Sequence, residues 1–280
     1  MPRLIPFVWL FLLGTLHVAA AWNWQGTTET IWHGNVTNSD RPADRLSALQ
    51  WQTELAGNTS RLLTGGNLAS AGLRIGLALW PKYQGLDSLT LGPTLGLNHK
   101  FGLGAQAWVV GASASGGWVS VHEADRSGLS GQLRLEVRKR WHESWQFSLG
   151  TERARYDARG HAFSNSGRDN YLRGEYQLND VWTASLEIRQ RAGIVVSYTS
   201  PPRPDLVLAG KVLTLVDTFE RGSPLLAYYF PADTRSASLE FTRSLSPVAA
   251  LFLRFEYRDS THKALRYLNE RSTVGLVRRF

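Results

Sequence analysis

No cysteine occurs in the 280-residue chain, and methionine occurs once. The first absence excludes disulfide cross-links, thiolate metal sites and a lipid-modified cysteine, so an exported form of this chain is held together by packing and hydrogen bonds. Long apolar runs are missing after the first twenty-one residues, and the mean hydropathy is −0.22. A bundle of membrane helices, each needing about 20 consecutive apolar residues, is thereby excluded. Catalytic signatures are missing too. Residues 111–116 read GASASG, which fails the nucleophile-elbow pattern at its last glycine. There is no phosphate-binding Walker loop and no H-E-x-x-H helix. Nothing in the sequence points to a cofactor or a metal.

What is present is basic and aromatic. Lys and Arg number 31 against 23 Asp and Glu, and Trp, Tyr and Phe number 11, 9 and 11. The arginines alternate with apolar residues and form no basic run, which argues against a nucleic-acid partner. Residues 1–21, MPRLIPFVWLFLLGTLHVAAA, combine Arg3, a short apolar core and a small-residue end. That is the pattern of a cleaved secretory signal peptide. The expected organisation is therefore a signal peptide at 1–21 and one domain at 22–280.

From residue 22 onward the recurring pattern has period two. In GQLRLEVRKRW (131–141), Leu133, Leu135 and Val137 alternate with Arg134, Glu136, Arg138 and Arg140. Comparable alternation sets Leu172, Tyr176 and Leu178 against Arg173, Glu175 and Gln177. It also sets Trp182, Leu186 and Ile188 against Glu187, Arg189 and Arg191, and Leu251, Leu253, Phe255 and Tyr257 against Arg254, Glu256 and Arg258. Residues 68–117 alternate leucine and isoleucine with Gly, Ser, Thr and Ala. About twelve such segments fit, each long enough for the ~9–11 residues of a tilted membrane strand. Short connections at 142–144, 178–180 and 245–247 alternate with longer ones at 122–128, 157–168 and 198–233. The expected fold is an all-β, transmembrane, antiparallel barrel of about twelve strands, or fourteen if 198–233 adds a pair. Its apolar faces meet lipid and its charged faces line a wet lumen. Trp141, Trp145 and Trp182, beside the short turns, suit an aromatic girdle.

Residues 274–280, VGLVRRF, place Val274, Gly275, Leu276 and a terminal Phe280 in a last strand. This resembles the assembly signal of Gram-negative outer-membrane barrels, although Arg278 stands where an apolar residue is usual. The resemblance implies an outer-membrane location, lipid contact and recognition by the barrel-assembly machinery. Residues 247–280 are also similar to the closing hairpin of barrels that assist surface display or polysaccharide export. The charged lumen resembles that of small porins for acidic oligosaccharides, such as the oligogalacturonate-specific family.

Three functions are open at this point. The first is a diffusion channel favouring anionic small solutes, with Arg134, Arg138, Arg140, Arg173, Arg189, Arg191, Arg254 and Arg258 setting the field and Glu136, Glu187 and Glu256 interspersed. The same residues, paired as Arg–Glu ladders, could instead close the lumen. The second is a non-conducting accessory barrel acting through loop 198–233. The third is a rim enzyme using His122 beside Glu123 and Asp125, or His161 beside Ser164 and Ser166, although polar loops explain both histidines.

Overall fold

The computed structural model describes residues 22–204, 212–219, 222, 224–263 and 265–280, with 212 and 213 by backbone alone. The segment read as a signal peptide lies outside the described residues, as does part of the long connection 198–233, residues 205–211.

The strands are β1 (Asn23–His33), β2 (Ala48–Leu62), β3 (Asn67–Leu79), β4 (Ser88–Phe101), β5 (Trp108–Val121), β6 (Gly128–Arg140) and β7 (Trp145–Ala158). They continue as β8 (Asn165–Gln177), β9 (Trp182–Thr199), β10 (Val212–Val216), β11 (Leu225–Ser246), β12 (Ala249–His262) and β13 (Leu265–Arg279). All neighbouring pairs are antiparallel. β9 pairs with β11, and β13 pairs with β1 from Gln25↔Arg279 to His33↔Arg271. The result is a closed barrel of twelve strands. Closure is what a bilayer demands, because no water is present in hydrocarbon to satisfy an open edge.

β10 is not a wall strand. β12 pairs with β11 only from Asp233 onward, and β10 takes the vacant edge above it, at Leu225–Tyr229. Among the described residues there is therefore no second pair to make fourteen strands. The stretch 198–233, expected as one long loop, is strand at both ends, and the true connection is 200–224. The reason lies in its burial. Ser197, Tyr198, Thr199, Leu225, Ala227, Tyr228 and Phe230 are all buried, so successive side chains on both faces are enclosed and the two-residue alternation is lost.

Elsewhere the alternation sets the two faces. Leu133 and Leu135 are 61% and 58% exposed, and Leu149, Leu172 and Ile188 are similarly open on neighbouring strands. So continuous an apolar surface suits hydrocarbon and would drive association in water. Trp141, Trp145 and Trp182 are exposed beside the turns at 141–144 and 178–181. Lys139 lies 4.6 Å over the rings of Trp108 and Trp141, as expected of a cation reaching from the apolar belt towards headgroups. Turns at 63–66, 102–107, 141–144, 178–181 and 247–248 share one end with both ends of the wall. Connections 34–47, 80–87, 122–127, 159–164 and 200–224 share the other. By the usual asymmetry of such barrels the second end faces outward from the cell.

Leu135→Arg would place a guanidinium near the middle of the lipid-facing belt. A loss of about 2–4 kcal/mol is expected from denaturant unfolding in phospholipid vesicles. A loss under about 0.5 kcal/mol would argue that this face does not meet hydrocarbon.

Candidate functional site

Side chains at the alternate positions point into the barrel. On β3 to β5 they are mostly small, including Ser70, Gly72, Thr94, Gly96, Gly111 and Ser113, with register setting Ser70 opposite Gly96 and with Arg74, 3.8 Å from Glu54 on β2, as the charged exception. On β6 to β13 they are charged. All the lumen residues read from the sequence fall on this inward face: Arg134, Glu136, Arg138 and Arg140 on β6, Arg173 on β8, Glu187, Arg189 and Arg191 on β9, and Arg254, Glu256 and Arg258 on β12.

The charged wall is laddered. Arg173 pairs with Glu175 at 2.8 Å, Arg189 with Glu187 at 2.9 Å, Arg254 with Glu240 at 2.6 Å and Arg258 with Glu256 at 2.6 Å. Arg134 binds Glu136, and Arg191 lies 3.6 Å from buried Asp169. Three arginines differ. Arg138, Arg140 and Arg271 have no carboxylate within 4.0 Å among the described residues. Arg271, next to Val274 and Leu276 in sequence but on the opposite face, was missed in the sequence. Its parity with Thr273 and Gly275 could have found it.

Tyr171, also missed, fastens the ladder. Its hydroxyl donates to Glu136 Oε2 at 2.7 Å and accepts from Arg134 Nε at 2.6 Å. The ring lies against Gly150, where a Cβ would overlap the phenol. Gly150→Val is therefore expected to displace Tyr171 and cost about 1–3 kcal/mol by overpacking, read from thermal or denaturant unfolding. A fully neutral substitution would show that the phenol does not need this seat.

Among the described residues the lumen holds two adjoining cavities that share arginines. One, of about 390 Å³, lies among Arg134, Arg173, Arg189, Arg254 and Arg258 with Glu187, Glu240 and Glu256. The other, of about 640 Å³, shares Arg191 and Arg258 with it and continues past His33, Gln50 and Arg271 to Trp80, Tyr198 and Phe219. His33 Nε2 is 2.8 Å from Gln50 Oε1, and its ring lies 4.9 Å from that of Trp80.

The apolar end of the upper cavity is a cap over the outward mouth. Tyr83 from 80–87, Phe163 from 159–164, Val216 and Phe219 from 200–224, and Tyr198, Leu225 and Ala227 from β9 and β11 form one buried cluster with Ala48. These elements come from opposite sides of the barrel, so the cluster spans the opening. Polar contacts lock it. Arg126 donates to Glu123 Oε2 at 2.7 Å, to the Tyr198 hydroxyl at 2.6 Å and to Thr218 Oγ1 at 3.1 Å, and Thr218 donates to Glu123. Its guanidinium lies 4.2 Å from the centre of the Phe163 ring. Burial opposes the charge of Arg126, but Tyr198 and Glu123 outweigh it and hold the pKa above the ordinary guanidinium value. Across the mouth, Asp44 accepts from Thr199 Oγ1 at 2.7 Å and Ser200 Oγ at 2.6 Å, and Tyr198 N–H donates to Thr37 O at 2.9 Å. The first loop thus clamps the top of β9.

The rim histidines do not form a catalytic arrangement. His122 and His161 are exposed, and neither imidazole hydrogen-bonds to a serine or carboxylate among the described residues. In the last strand Val274 faces outward and is 51% exposed, while Gly275 faces inward beneath the Phe252 ring. Leu276 shares the face of Val274, and the Phe280 N–H donates to Trp24 O at 2.9 Å, closing the seam.

No protein-family model matches the chain, and no curated protein matches it. Among solved structures, an outer-membrane channel from Pseudomonas putida F1 is similar at TM-score 0.57 and 11% identity, over 94% of this chain and 97% of that one. The KdgM and NanC porins, each 8% identical, cover 91% and 90% of this chain and 99% and 98% of their own, at TM-scores of 0.45 and 0.47. Those two likenesses are too loose to bear an argument. The first speaks to architecture: the chain is a closed twelve-stranded β-barrel with the fold of outer-membrane channels.

Proposed function

We propose that the protein is a small diffusion channel of the outer membrane whose lumen favours anionic solutes. The observation that carries this reading is the asymmetric lumen. A wall made mostly of glycine, serine and threonine stands opposite a wall of arginines, of which Arg138, Arg140 and Arg271 have no carboxylate within 4.0 Å among the described residues. Carboxylates and phosphates match guanidinium forks in geometry and charge. The Arg–Glu ladders restrict the preference to the field of the unpaired cations, so selectivity is weak and no solute is held tightly. The last strand, with Val274, Leu276 and Phe280 on its outer side, is the part offered to the assembly machinery.

The cap favours a second reading, in which the barrel is closed and acts through connection 200–224 on a partner outside the cell. Solute flux separates the two. Vesicles holding the refolded protein are exposed to an anionic and a cationic solute of equal size. The channel reading predicts faster entry of the anion. Equal impermeability to both in a folded barrel would sink it in favour of the accessory reading.

A further inference from the structure

On β7 and β8 the lipid-facing wall breaks its own rule with two like charges. Outward positions of β7 run Trp145, Phe147, Leu149, Thr151, Arg153 and Arg155, so the apolar belt gives way to arginine before the strand ends. On β8, Arg168 stands directly opposite Arg153 in register, and both are exposed. Neither has a carboxylate within 4.0 Å among the described residues, whereas Arg155 is paired with Asp157 at 2.8 Å. Like charges directly across an antiparallel pair repel, and the wall supplies no acid to relieve them. The pair lies towards the outward end, where the headgroups of the outer leaflet begin.

Two depressions on the outer surface meet at this pair. The lower, of about 610 Å³, runs over Ala112 and Ala114 between the leucine ridges of β4 and β6. Small residues between large ones leave an apolar trough. The upper, of about 620 Å³, runs over Gly131, Ser166 and Ala192 towards the loops, and a Cβ at Gly131 would meet nothing within 4 Å. Both include Leu133, Arg153 and Arg168. An apolar trough below, an unpaired guanidinium pair at the boundary and an open shelf above match an amphiphile with chains, phosphate and sugar in that order.

We propose that Arg153 and Arg168 form a binding site on the outer wall for the phosphate of a phosphorylated glycolipid of the outer leaflet, the lipid A portion of lipopolysaccharide. The phosphate bridges the two guanidinium groups and removes their repulsion, and an acyl chain lies along the alanine trough. Such a site would fix the barrel in its surrounding lipid and brace the loop end, independently of anything passing through the lumen.

The test uses the refolded full barrel in detergent and reads retained lipid by native mass spectrometry. The probes are bisphosphorylated lipid A, the same lipid stripped of phosphate, and inorganic phosphate as competitor. The wild type is expected to retain bisphosphorylated lipid A about tenfold better than the stripped form, and R153Q/R168Q to lose that difference. R153K/R168K should keep a part of it, and R61Q, on the outer wall at the turn end, should keep all of it. Folding is read from the mobility of unheated samples, and if the double variant does not fold, R168Q alone serves. Equal retention of the two lipids, or no change in R153Q/R168Q, would overturn the site. Displacement of the lipid by millimolar inorganic phosphate would overturn the glycolipid in favour of a free-phosphate site.

Discussion

Arg126→Ala should unlatch the cap. Arg126 is the hub on which Glu123, Tyr198, Thr218 and the Phe163 ring converge, and its removal leaves three polar partners in a largely apolar mouth. Breaking a buried ion pair costs about 3–5 kcal/mol, and the lower end applies here because Glu123 keeps some access to water. The loss falls on the cap and not on the barrel wall, whose strands are paired by backbone hydrogen bonds that do not involve Arg126. Connection 200–224 contains Phe219, buried in the cluster of the cap, as a chymotryptic site. Cleavage there follows the population of the open cap, so a change of about 3 kcal/mol predicts roughly a hundredfold faster nicking, with the global unfolding transition nearly unmoved. In planar bilayers the variant should open more often than the wild type. Unchanged nicking would show that the apolar cluster alone holds the mouth, with Arg126 a bystander.

The second large effect concerns the lumen field. Arg138 and Arg140 stand at the turn end of β6 without acidic partners, so reversing both changes the local charge by four units with no salt bridge lost. A unit charge 10 Å from an ion in water contributes about 0.4 kcal/mol, so the change is worth about 1.7 kcal/mol before screening. In low salt that is enough to shift the anion-to-cation ratio by more than about tenfold and to reverse a weak preference. Arg138→Glu/Arg140→Glu should therefore conduct with cation preference, and the shift should shrink as salt rises. The contrast is Arg258→Glu. It breaks a 2.6 Å pair with Glu256 and places two carboxylates together, so it should destabilise the barrel as well as alter its selectivity. A double reversal at Arg138 and Arg140 with unaltered selectivity would place the narrow part of the path elsewhere.

These expectations rest on features that were unequally visible in the sequence. The faces of β6 could be read from residues 131–141, because only a strand between a wet and an apolar side alternates so strictly. The same logic exposed the lumen residues on β8, β9 and β12. It failed where both faces are enclosed. Tyr198 and Thr199 and Leu225 to Ala232 have no alternation, since the cap covers one side and the barrel interior the other, and they looked like loop. Arg126 was invisible for a different reason. Its partners Tyr198 and Thr218 lie 72 and 92 residues away, and they meet it only because the barrel closes. Tyr171 was within reach, since it shares parity with Arg173, but an aromatic on a charged face was assigned no role. The cross-strand pair Arg153 and Arg168 needed register, which alternation alone does not fix.

The measurement that bears most directly on the account is the reversal potential of the wild-type protein in a planar bilayer under a potassium chloride gradient. The lumen described here predicts discrete openings and a potential displaced towards chloride, collapsing towards zero as the salt on both sides is raised. A displacement towards potassium, or a folded barrel that never opens even as Arg126→Ala, would contradict it.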